Sequence, residues 1–213
     1  MFRQDVLLRQ IEQFAAALAR IKASSSGEPI DLHDEFEAVA ANYLETTFRS
    51  LLTTQLTHLT LNHSPLEVAM AADLIAAHLF LGREDDGAMV ITTSRAIALY
   101  RYAFEQDRSL VGHPTRAARV DRLLGLASSR HNLATAIHGF YIFEYIGRFD
   151  RAEDRLFELI DRAWTEVNVH GRQFYGRLLA LSDETLEQGG LPRQEVIQGR
   201  HAFELACQTS SIS

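Results

Sequence analysis

A single cysteine, Cys207, cannot close a disulfide within the chain, which excludes a small secreted scaffold held by bridges. A reducing, cytoplasmic setting is the expectation that follows. Lysine is equally scarce: of 21 basic residues only Lys22 is not arginine, a bias that a GC-rich bacterial genome produces without a chemical reason. Four prolines and 12 glycines in 213 residues leave no place for a collagen-like or linker-dominated chain. No apolar run approaches the roughly 20 residues that cross a bilayer. Arg3, Asp5, Arg9 and Glu12 break up any secretory leader at the start, so no membrane partner is expected.

What is present is the balance of an ordinary globular protein, 46% apolar and 23% charged. The length allows one core of good size. Helical spacing appears at once, because Leu7, Ile11, Phe14, Leu18 and Ile21 step by three and four along one face. The serines and Gly27-Glu28-Pro29 that follow carry no period and read as a loop over 24–30. Leu32, Phe36, Val39 and Tyr43 resume the stripe. From Thr46 to Leu61 threonines are frequent, but Leu52, Leu56 and Leu59 favour helix, and no second alternating run exists to pair with a strand.

Start and stop signals mark the remaining elements. Ser64-Pro65-Leu66-Glu67 combines an N-cap serine, a first-turn proline and a glutamate three residues on. Gly82 and Gly147 stand where helices end, Asp150 to Glu153 has the spacing of a second capping box, and Ser182 opens a late turn. Leu156, Leu159, Ile160, Ala163, Trp164 and Val167 form one amphipathic stripe. The reading is an all-α chain of eight or nine helices in antiparallel hairpins. It forms a single domain over 1–213: an N-terminal helix over 1–23, the loop, a hairpin body over 31–208 and a tail over 209–213.

The segment from Ala134 to Arg162 resembles one tetratricopeptide unit, with Gly147, Phe149 and Ala152 at the positions of the family's turn and packed second helix, followed by Leu156 and Leu159. Leu66 to Phe104 has a similar layout through Gly82, Asp85, Asp86 and Ala88. The resemblance implies a stack of helical hairpins, a right-handed one in that family, that binds proteins; an irregular helical bundle is the alternative arrangement. The opening residues, Met1 to Glu12, are similar to the start of uncharacterised bacterial helical proteins, which implies no activity.

Catalytic signatures are missing: there is no phosphate loop, dinucleotide fingerprint, nucleophile elbow or zinc-protease motif. No catalytic residue, cofactor or metal is therefore assigned. His33 with Glu37, His63 with Glu67 and Glu166 with His170 have helical spacing and read as ordinary surface pairs. His131, His138, Tyr141 and Tyr145, with Glu144 beside them, share one helical side and define either a polar pocket or plain packing.

Charge is the most uneven property. The formal charge is −7, yet residues 31–90 hold 2 Arg against 10 acids and residues 91–130 hold 7 Arg against 3 acids. Arg116, Arg119 and Arg122 recur every three residues, flanked by Arg108 and Arg130. Such a stripe grips an acidic partner, phosphates or the chain's own acidic segment. Without a recognition helix or stacking aromatics beside it, nucleic acid is not the expected partner. The leading expectation is a non-catalytic helical protein that binds another protein or itself, as a homodimer. The alternatives are a helical enzyme or small-molecule sensor using the His/Tyr pocket, and a local phosphate or nucleic-acid contact.

Overall fold

The structure is a computed structural model that describes residues 2–24, 32–81, 86–112, 114–126 and 132–210. All regular structure among them is helical: α1 Phe2–Ser24, α2 Leu32–Leu44, α3 Phe48–Thr53, α4 Leu56–Asn62, α5 Pro65–Leu81, α6 Asp86–Gln106, α7 Pro114–Leu126, α8 Leu133–Tyr145, α9 Phe149–Leu179, α10 Asp183–Gln188 and α11 Arg193–Ser210. A 3-10 turn spans Arg108–Gly112. None of these helices is long and apolar enough to cross a membrane. The chain divides into two compact units, Met1–Leu126 and Ala127–Ser213. Gly82, Asp85, Arg130 and His131, singled out above, lie outside the described residues, as does the side chain of Trp164.

In the N-terminal unit α5 is the central element. Its alanines keep it slim, and Leu66, Val68, Met70, Leu74, Ile75 and Leu79 are buried on every side of it, the pattern of a helix enclosed by others. Its start is a reciprocal capping box: the Ser64 backbone N–H donates to Glu67 Oε2 at 2.7 Å, and the Glu67 N–H donates back to Ser64 Oγ at 3.3 Å. The buried Phe14, Ala17, Leu18 and Ile21 form the inward face of α1. The threonine-rich stretch is two short helices rather than one. Thr47 Oγ1 accepts the Ser50 N–H, Glu37 accepts the Phe48 N–H at 2.7 Å, and Arg95 from α6 donates to the carbonyls of Leu51 and Thr54. Side chains thus serve the N–H groups at the start of α3 and the carbonyls that its break with α4 leaves over.

The C-terminal unit departs most from the sequence reading. α9 is two helices in one span, broken at Ala163, which leaves helical geometry at φ −164° and ψ 61°. A straight helix would hold Glu153 and Tyr175 about 33 Å apart at ~1.5 Å per residue. Instead the Tyr175 hydroxyl donates to Glu153 Oε1 at 2.6 Å, so the chain doubles back at Ala163. The stripe expected to be one helix is therefore two antiparallel ones. Phe140 of α8 meets Phe174 in the second half with ring centroids 5.3 Å apart, while Phe203 of α11 lies against Phe157 at 6.4 Å and Tyr175 at 5.8 Å. Glu153, expected to close a capping box with Asp150, instead accepts from Tyr175, and Asp150 pairs with Arg148.

Two turns complete this unit. After α8, Gly147 takes a left-handed φ of 74°, and the Arg148 N–H reaches the Phe143 carbonyl at 2.9 Å, a Schellman closure. After α10, Gly190 does the same at φ 76°, with the Leu191 N–H on the Leu186 carbonyl. The Gly189 carbonyl accepts the Phe149 N–H at 2.9 Å and so serves the start of α9.

Candidate functional site

The arginine stripe of α7 points inward for part of its length. Asp73, in the middle of α5, receives Arg116 through Nε at 3.0 Å and Nη2 at 2.8 Å on Oδ2. On Oδ1 it receives the Tyr100 hydroxyl at 2.6 Å and Arg119 Nη1. A remaining N–H of Arg116 donates to the Leu110 carbonyl at 3.0 Å, tying the 3-10 turn into the knot. Asp73 and Arg116 are 4% and 3% exposed, Arg119 19%. As a candidate partner contact Arg116 is thereby corrected: it belongs to the core, because the buried carboxylate of Asp73 needs an opposite charge.

Electrostatics follow from this geometry. Burial, then the Asp73 charge beside it, pushes the Tyr100 hydroxyl well above the ordinary tyrosine range, so it stays protonated and donates. Burial opposes the Arg119 charge, but Asp73 and Tyr100 outweigh it and hold the guanidinium above its usual value. The knot consequently carries two guanidiniums against one carboxylate. Its excess positive charge emerges at Arg119.

Arg119 also lines a groove of about 530 Å³ between α1, α5 and α7. The α1 side is Ala15, Leu18 and Ala19, with Lys22 one turn on, and the α5 side is Ala77, Phe80 and Leu81. The α7 side is Ala118, Arg119 and Arg122, and the Arg122 guanidinium lies over the Phe80 ring, 4.0 Å from its centroid. Three cations and no carboxylate thus stand among its described lining residues. Arg122 and Arg108 are exposed, and Arg108 sits on the 3-10 turn.

The His/Tyr set takes a different form from a pocket of its own members. Tyr141 Oη and His170 Nδ1 are 2.7 Å apart, and the Tyr141 and Tyr145 rings lie 5.9 Å apart. Arg177 binds Glu144 through two hydrogen bonds of 2.6 and 2.7 Å, the main reason its charge is held above the ordinary value. His138 is half-buried on the same helix. The structure joins Tyr141 and Glu144 to the second half of α9, which the chain reversal brings alongside. Cys207 is buried, and burial raises its thiol, as suits a packing residue.

Asp73 and the groove escaped sequence reasoning, although one signal was there. Asp73 is the single acid in the apolar stretch from Val68 to Leu81. Compared with known proteins, the chain belongs to a family of unknown function, DUF6483, which matches residues 1–204. No match is found among the curated proteins or the solved structures.

Proposed function

We propose that the protein works by binding, and that the groove of the N-terminal unit holds an occupant both apolar and negatively charged. One observation carries the reading: an apolar surface formed by three helices, edged by Lys22, Arg119 and Arg122 with no carboxylate among its described lining residues. Association with a partner protein or with a second copy belongs to the same reading, because an acidic amphipathic segment has this chemistry. The tetratricopeptide-like arrangement also stays a proposal. It is supported in the C-terminal unit by helices that reverse on one another, the second half of α9 doubling back on the first and packing against α8 and α11.

Anilinonaphthalene sulfonate, an aromatic anion, tests the groove. Its fluorescence is expected to rise saturably on the native protein and to lose that rise in Lys22→Glu/Arg122→Glu, with far-UV circular dichroism unchanged. Equal enhancement in the double variant would show that the groove is not where binding occurs.

A further inference from the structure

We infer that the groove is a site for a small single-chain amphiphile, with its carboxylate or phosphate head against Arg119 and Arg122 and its alkyl chain along α1 and α5. This rests on the reading of the groove as a binding site and names the occupant.

Size is the first support. At about 530 Å³ the groove lies within the roughly 300–1,000 Å³ of small-molecule sites, which favour positions between helices and combine apolar walls with a few convergent polar groups. Its walls have that composition, since Ala15, Leu18, Ala19, Ala77 and Leu81 offer no polar side-chain atom.

Charge is the second. Asp73 neutralises one of the two guanidiniums it binds, and Tyr100 remains a neutral donor, so the knot is left with a net positive charge whose exposed part is Arg119. A guanidinium has five N–H donors, and the bond from Nη1 to Asp73 does not exhaust them. Held by Asp73 beneath it, Arg119 is ordered before any ligand arrives, which lowers the entropy lost on binding. Arg122 lies one turn along the same helix, fixed over Phe80, and the pair presents two cations to one anionic head. An anion completes the charge balance of the site, while an alkyl chain covers its apolar walls. Neither half of the groove calls for the other half's chemistry, and an amphiphile supplies both.

Titration calorimetry on the full chain below micellar concentrations tests this with decanoate, decyl phosphate, decanol and an acidic amphipathic helical peptide. Decanoate or decyl phosphate is expected to bind at one saturable site, the tighter of the two naming the head group, and decanol more weakly than either. Arg122→Gln is expected to weaken binding about tenfold, the loss of one charge-assisted contact. Ala19→Trp, at an exposed helical position that fills the groove, is expected to abolish it while leaving the thermal midpoint in place. Decanol binding as tightly as decanoate, or anion binding unaffected by Ala19→Trp, overturns the inference. Binding of the peptide alone overturns it too, yet leaves the groove as a binding site. Failure of all four ligands together with the naphthalene sulfonate overturns both.

Discussion

Asp73 occupies the middle of a helix that is buried on every side, where an unpaired carboxylate would ionise only at great expense. Arg116, Arg119 and Tyr100 make it tolerable, and the dependence is mutual. Asp73→Asn removes the one carboxylate and strands Arg116 in the core, so denaturant unfolding should show a loss of about 3–5 kcal/mol. The variant should also release the 3-10 turn, because Arg116 holds the Leu110 carbonyl. Glu153 poses the opposite case. Burial first, then its neighbours Asp154 and Glu195, raises its carboxyl above the ordinary value, against the lowering effect of Tyr175. The folded form therefore keeps this proton to higher pH than the unfolded form, and stability falls as pH climbs from 4.5, the ordinary value, through the raised one. Glu153→Gln keeps an acceptor for Tyr175 and removes the titration. Its thermal midpoint should match the parent near pH 4 and exceed it at pH 7, and equal midpoints at both pH values would contradict this.

At the scale of elements, local signals were legible where one turn of chain contains both partners. The capping box at Ser64, the serine cap at Ser182 and the glycine stop at Gly147 are all present as read. The position of the break in α9 was not legible, and the reason is physical: Ala163 is the residue most at home in a helix, and Leu159, Ile160 and Val167 on either side keep the helical period and are buried. Tertiary packing overrides propensity there. The approach of α11 to the second half of α9 depends on a small residue at Gly171. A β-carbon at Gly171 would overlap the buried Phe203 ring, whereas one at Gly176 meets nothing within 4 Å. Gly171→Ala should destabilise by about 1–3 kcal/mol through overpacking, despite the gain in helix propensity. Gly176→Ala should stabilise by about 1 kcal/mol. Thermal unfolding of the two variants should move in opposite directions.

For the whole molecule, the formal charge of −7 conceals its distribution. The acidic and basic stretches are matched at Asp73 with Arg116 and Arg119, and Arg119 and Arg122 edge a groove in the same unit. Each unit has its own core, with Phe140, Leu156, Phe174, Tyr175, Val196 and Phe203 buried in the second. Residues 127–213 alone should therefore fold, showing helical circular dichroism and a cooperative thermal transition. A non-cooperative melt would show that this unit depends on the rest of the chain.

By itself the sequence determined the helix-only fold class, most of the helices and the caps at Ser64 and Ser182, because these rest on hydrogen bonds and apolar spacing among residues three or four apart. Which arginines stay at the surface, where α9 turns back and where a groove opens were decided only in the tertiary structure. Asp73 meets its arginines across 43 and 46 residues, and Glu153 meets Tyr175 across 22. The stripe of α7 shows one periodicity whether it faces solvent or a buried acid, and only packing against α5 separates Arg116 in the core from Arg122 at the groove.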